Sequence, residues 1–275
     1  MDKLKFTKMQ AAGNDFVVIE AKRNRDWPAL ARAMCNRRFG VGADGIILVL
    51  PSRKADIRMR MFNPDGSEAE ACGNGTRCLV RYAVDRGLVD GGEITIETPG
   101  GMRETRLAGK LIQVDMGAPI FKAGLIPVKG SRDKVMDYPL KIDGKLLSLN
   151  CLSMGNPHAV LFIDEPVENF PLETVGPRVE HNSFFPRRVN FEIAQVAGKG
   201  KIRARVWERG AGETLACGSG ACAIAVAARL HRYCGKEANI TLTGGTLTVE
   251  WDGKGEVKLT GPAEEVFKGE WPVDS

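Results

Sequence analysis

No stretch of this chain approaches the roughly 20 consecutive apolar residues of a membrane-spanning helix. Its first residues, Met1-Asp2-Lys3-Leu4-Lys5-Phe6, hold no apolar core of a secretory signal. The expectation is therefore a cytoplasmic location with no membrane partner. Basic residues occur only in short groups such as Arg37-Arg38 and Arg187-Arg188, so the net charge of +5 is spread thinly and nucleic acid is not an expected partner. None of the seven cysteines forms a CxxC pair, and three histidines are too few to complete ordinary zinc knuckles. An odd cysteine count without an export signal also argues against a disulfide framework. What is present is an ordinary globular balance, 43% hydrophobic and 27% charged over 275 residues, enough for two domains.

The chain is written twice. Ile57-Arg58-Met59-Arg60-Met61-Phe62-Asn63 leads to Glu68 and then to Ala71-Cys72-Gly73-Asn74-Gly75. The run Ile202-Arg203-Ala204-Arg205-Val206-Trp207-Glu208 leads to Glu213 and then to Ala216-Cys217-Gly218-Ser219-Gly220, without a gap, 145 residues further on. Arg60 falls on Arg205, Glu68 on Glu213 and Asn63 on Glu208. Gly13-Asn14 recurs as Gly155-Asn156, and Ile94-Thr95-Ile96 as Ile240-Thr241-Leu242. Two copies mark a duplication, in contrast to a solenoid. The expected halves are residues 1–117 and 118–262, with the tail 263–275 packing on the first.

Phe16 to Ile19, Gly45 to Leu50 and Ile57 to Phe62 read as strands, the last with period two. A Gly-rich turn is expected to open a helix over about Thr76 to Arg86, closed by Gly87. A second helix, from about Ala221 to Cys234, is apolar nearly all round and should be buried. Short strands are expected to fill the remainder. The fold class is α+β: two pseudo-symmetric halves, each a curved, mostly antiparallel sheet wrapped around a central helix.

Each repeat sets a cysteine at a helix start, where unpaired N–H groups and the helix dipole are expected to lower the thiol pKa. If one sulfur is thiolate and the other thiol, the first can remove a proton from a carbon and the second can return one to its opposite face. The outcome is inversion by general acid–base catalysis. Cys35, Cys78, Cys151, Cys222 and Cys234 read instead as core. His158 lies on what reads as a tight loop, and Glu208, nine residues before Cys217, is placed to assist a thiol.

The strings Gly13-Asn14-Asp15-Phe16, Phe62-Asn63-Pro64-Asp65-Gly66-Ser67, Ala71-Cys72-Gly73-Asn74-Gly75-Thr76-Arg77-Cys78, Gly155-Asn156-Pro157-His158 and Glu208 to Gly220 resemble those of the diaminopimelate epimerases. The likeness runs over essentially the whole chain. It implies interconversion of LL- and meso-diaminopimelate, for lysine and peptidoglycan synthesis, by two cysteines with no cofactor and no metal, in a homodimer. Carried over, Cys72 and Cys217 are the catalytic thiols, with His158 and Glu208 assisting. Asn14, Asn63, Gly73, Asn74, Asn156, Asn190, Glu208, Arg209, Gly218 and Ser219 are the substrate contacts. Arg209 suits a carboxylate, and the asparagines suit ammonium and carboxylate groups. The chain departs from many relatives at Gly45, where they carry a Gln contact. Two alternatives compete: a proline racemase or hydroxyproline epimerase, and a non-catalytic amino-acid binder on the same fold. Phenazine-biosynthesis isomerase-like proteins fit less well, because they lack the cysteine pair.

Overall fold

In the computed structural model the described residues are 2–69, 72–130 and 133–273; Glu70 and Ala71 of the first cysteine string, and the last two residues of the tail, lie outside them. The chain divides into two compact units, Met1–Asp115 with Thr260–Ser275, and Met116–Leu259.

The first unit runs β1 (Asp2–Ala11), β2 (Asn14–Glu20), α1 (Trp27–Cys35), β3 (Gly45–Leu50), β4 (Ile57–Phe62), β5 (Glu68–Ala69), α2 (Gly73–Asp85), β6 (Glu93–Thr98), β7 (Gly101–Ala108) and β8 (Leu111–Asp115). The second runs β9 (Val135–Ile142), β10 (Lys145–Ser153), β11 (Pro157–Ile163), α3 (Leu172–Glu180), β12 (Asn190–Gly198), β13 (Lys201–Glu208), β14 (Gly212–Thr214), α4 (Gly218–Leu230), β15 (Glu237–Leu242) and β16 (Gly245–Glu250), before β17 (Lys258–Pro262) and β18 (Glu264–Val273).

The pairing repeats with the sequence. Strands β1 and β2 are antiparallel, β2 and β3 parallel, β3 and β4 antiparallel, and β4 is parallel to β6. Strands β10 and β11, β11 and β12, β12 and β13, and β13 and β15 follow in the same senses. The parallel steps are where a helix crosses over, as parallel connections require. The tail returns as β18, antiparallel to β1.

Helix α2 packs on β1, β2, β3, β4, β8 and β18, and α4 on β10, β11, β12, β15 and β16, so each helix is wrapped by its own unit's strands. Ten of the thirteen residues of α4 are buried, as its all-round apolar character requires. In both units one guanidinium grips the short strand ahead of the cysteine helix. Arg60 binds Glu68 through two bonds of 2.7 and 3.0 Å, and Arg205 binds Glu213 through two of 2.7 and 2.8 Å.

Several expectations change. Both cysteine helices begin at the residue after the cysteine, so Gly-x-Gly forms a first turn and not a preceding loop. Gly87, at φ 63°, does close α2, with Leu88 N–H donating back to Ala83 O. Helix α4 stops at Leu230, short of Gly235: Arg232 adopts φ 64° and Tyr233 N–H closes on Ala228 O. Helices α1 and α3 stand where only strands were expected. Asp26 caps α1 by accepting from Ala29 N–H, and Pro28 sits in its first turn. Pro177 lies inside α3 and hid it. No helix of the described residues is long and apolar enough to cross a membrane.

Candidate active site

In the first unit, Cys72 is the N-cap of α2, and its sulfur accepts from Gly75 N–H at 3.4 Å. Helix α2 also carries Asn74, whose Nδ2 donates to Asn14 Oδ1 at 3.2 Å, while Arg77 donates to Asn74 Oδ1 at 2.8 Å. Asn14 in turn donates to Asp44 Oδ2 at 2.5 Å. Arg37 bridges Asp44 and Asp15, each at 2.7 Å, and the nearly buried Lys8 joins Asp15 at 2.5 Å. Burial alone would raise the Asp15 carboxyl, but Arg37 and Lys8 hold it below the usual carboxylate range. Cys72, Asn74 and Asn14 are thereby tied to one charged framework. Asn63 stands apart from that network, donating to Ser67 Oγ at 3.0 Å in the turn after β4.

Gly45 has a steric reason. A Cβ there would sit 2.8 Å from Phe62 O and 3.1 Å from Met61 Cε. The main chain of β4 occupies the space that a Gln would enter. Gly45→Gln is expected to destabilise the fold by about 2 kcal/mol through overpacking, measured by chemical denaturation.

In the second unit, Cys217 caps α4 and is 5% exposed, with Ser219 Oγ 3.5 Å from its sulfur. The expected lowering of its pKa does not hold. Burial pushes the Cys217 thiol well above its ordinary value, and the Glu208 carboxylate pushes the same way; Ser219 and the Gly220 backbone oppose them and lose. Removing the Glu208 charge removes a penalty on the thiolate. Glu208→Gln is therefore expected to move Cys217 titration to lower pH, read from the pH dependence of its alkylation by peptide mass spectrometry. Thr214 Oγ1 donates to Glu208 at 2.6 Å, fixing that carboxyl at the end of β13.

His158 is not on a loop. It is the second residue of β11 and fully buried, with Nδ1 2.6 Å from Glu192 Oε1 and Nε2 2.9 Å from Asn156 Oδ1. Asn190 is also buried, and both ends of its amide are engaged: Nδ2 donates to Pro157 O, and Oδ1 accepts from Arg209 N–H, each at 2.9 Å. It thus locks the loop before His158 to the turn bearing Arg209. Glu180, in turn, accepts from Trp207 Nε1 at 2.8 Å and Gly210 N–H at 2.9 Å, bracketing Glu208 and Arg209.

Asp44, Arg37, Arg77, Glu180 and Glu192 are not among the site residues expected from sequence. Of these, Glu192 carried a visible signal, a carboxyl in the apolar run Phe191-Glu192-Ile193-Ala194. Cys35, Cys78, Cys151, Cys222 and Cys234 are buried, as core residues should be. Burial pushes Cys35 up to about 12. Among the described residues no group of three or more His, Cys, Asp and Glu is placed to hold a metal ion.

The architecture is shared with solved proteins of one fold class. A Bacillus anthracis phenazine biosynthesis protein of the PhzF family matches with a TM-score of 0.74 at 20% identity, covering 99% of this chain and 100% of that one. A probable proline racemase from Agrobacterium radiobacter K84 matches at 0.69 and 15% identity, covering 98% and 93%. The chain is thus a two-unit α+β protein of the fold common to these proteins, with a cysteine at the start of one helix in each unit.

Its family follows from sequence. The model of the diaminopimelate epimerase family matches residues 6–122 and again 150–266. A diaminopimelate epimerase of Moorella thermoacetica is 49% identical over 98% of this chain and 99% of its own length. One from Methanococcus maripaludis strain C6 is 44% identical over 97% and 99%. The chain belongs to the diaminopimelate epimerase family.

Proposed function

We infer that this protein interconverts LL- and meso-2,6-diaminopimelate by moving one proton between two sulfurs. The observation that carries this reading is the full-length family match together with one helix-capping cysteine in each repeat.

In the proposed step a thiolate takes the proton from the Cα–H bond, and the electron pair passes into the substrate carboxylate. The opposite thiol then gives its proton to the other face, and the sulfurs end with exchanged protonation states. Cys217, whose thiol is pushed up, is assigned the acid of the resting enzyme. Cys72 is assigned the base, since Gly75 N–H already donates to its sulfur. N–H groups of the first turns, at Gly73-Asn74 and Gly218-Ser219, are suited to the reacting carboxylate as its charge grows. Asn14, Asn63, Asn156 and Arg209 are assigned to the polar ends of the substrate, with Glu208 and His158 assisting the thiols. Asn190, its amide engaged by two main-chain groups, is assigned to holding Arg209 in place. A cytoplasmic homodimer, needing no cofactor, completes the reading.

The test is turnover of LL-diaminopimelate against proline in deuterated water. Deuterium should enter at the inverted carbon of diaminopimelate in each inversion. Turnover of proline alone, or inversion without solvent deuterium, would sink the reading.

A further inference from the structure

The duplication permits a comparison that neither unit allows by itself. Matching Gly13-Asn14 with Gly155-Asn156 places Phe16 on His158. In the two parallel ladders Phe16 faces Gly45 and His158 faces Asn190, so Ile47, two residues on, falls on Glu192. The space under the helices agrees. A Cβ added at Gly75 would lie 3.2 Å from Ile47 Cδ1 and 3.5 Å from Cys72 Cβ, and one at Gly220 would lie 3.0 Å from Glu192 Oε1 and 3.3 Å from Cys217 Cβ. Behind Cys72 the fold therefore uses a phenylalanine and an isoleucine. Behind Cys217, in the same places, it uses an imidazole and a carboxyl, both fully buried. Packing does not require this polarity, since the first unit does without it.

The hydrogen bonds decide where the protons lie. Asn156 Oδ1 can only accept, so His158 Nε2 carries a hydrogen and donates it. Glu192 Oε1 lies 2.6 Å from Nδ1, while Oε2 is buried and makes no hydrogen bond among the described residues. The Ala159 N–H faces this carboxyl and favours its charged form, but Oε2 would still be a charged oxygen without a partner, and a neutral acid avoids most of that cost. The titratable groups that face Glu192 are His158 on β11, Glu208 on β13, Cys217 at the start of α4 and Cys151 on β10. None of them is a permanent cation. Burial pushes the Glu192 carboxyl up, in the same direction as the geometry.

We propose that Glu192 is a positioning residue that keeps its proton, donates it to His158 Nδ1, and so fixes the Nε2–H imidazole that orients the Asn156 amide. The chain Glu192–His158–Asn156 turns both Asn156 Nδ2 hydrogens away from the ring and toward other partners. It also keeps a negative charge from the wall behind Cys217, where it would oppose the thiolate that turnover must form. Its part in turnover rests on the epimerase reading; the protonation state does not.

The experiment is nitrogen-15 NMR of the histidine-labelled protein, which has only three histidines to resolve. His158→Gln identifies the resonances of interest. The expected result is an unprotonated Nδ1 and a protonated Nε2. Glu192→Gln, whose amide N–H can replace the acid O–H, should keep that signature and hold kcat/KM within about threefold. Glu192→Ile, which copies the other unit's side chain but leaves His158 Nδ1 without its partner, should lower the thermal midpoint, lose the signature and lower kcat/KM by about tenfold or more. A protonated Nδ1 at neutral pH would overturn the proposal, as would a Glu192→Gln enzyme as impaired as Glu192→Ile. The NMR arm uses the unaltered chain and no substrate, so it decides the matter even if a variant does not fold or diaminopimelate is not turned over.

Discussion

Replacing either Cys72 or Cys217 with serine is expected to lower epimerisation by about 10²–10⁴-fold, the usual span of a lost acid or base, without weakening the fold. A serine hydroxyl ionises far above working pH, so it neither takes the Cα proton at a useful rate nor returns one as readily as a thiol. Structurally the exchange is mild. Cys72 already acts as an N-cap through its sulfur, and serine is among the preferred residues at that position. The Cys72→Ser protein should therefore melt at or slightly above the parent temperature, and the loss of activity cannot be assigned to unfolding. Cys217 makes no side-chain capping bond and is buried, so its serine variant tests the chemistry with little change in packing. Both variants should be assayed for inversion and for thermal midpoint. Near-normal turnover in either would exclude the two-sulfur mechanism.

Gly176→Ala is expected to damage both stability and activity through a single added methyl group. The new methyl would lie 2.6 Å from two ring atoms of Trp207, and its position is fixed by the backbone, so only helix or indole can move. Trp207 is held from its other edge by the bond from Nε1 to Glu180, on the same helix, α3, as Gly176. Helix and indole must therefore part, at about 3 kcal/mol, or a fall in Tm of roughly 6–12 °C. Because Glu208 and Arg209 directly follow Trp207, activity should fall further than stability alone explains. Gly235→Ala, where an added methyl meets nothing within 4 Å, is the control and should leave both unchanged. Equal effects of the two substitutions would contradict the steric argument.

Much of this architecture is legible in the sequence because duplication makes the chain annotate itself. The strands that lead to the cysteines alternate with period two from Ile57 to Met61 and from Ile202 to Val206, and Ile57–Phe62 is a strand over the whole expected range. Local pattern misleads where tertiary packing sets the outcome. Gly-x-Gly reads as a turn by propensity, yet burial of α2 and α4 carries the helix back to the cysteine itself. His158 follows Gly155-Asn156-Pro157, a turn signature, but the parallel pairing with Asn190 draws it into a strand. The contacts of Asn190 and Glu192 were hidden for a related reason. Whether an amide reaches out or is consumed by two main-chain groups depends on neighbours 19 and 33 residues away. Gly45 looked like a lost contact, and only the carbonyl of Phe62 explains why no side chain belongs there.

The paired Arg–Glu grips ahead of the two cysteines have a practical use. Arg60–Glu68 and Arg205–Glu213 share the two-bond grip, while Arg205 also donates to Val167 O and Phe170 O, so the molecule contains one motif in two settings. The same cut, Glu68→Gln or Glu213→Gln, can be made in either copy while the other remains as an untouched standard in the same tube, temperature and salt. Loss of the carboxylate should cost less in the second unit, where Val167 O and Phe170 O still hold Arg205.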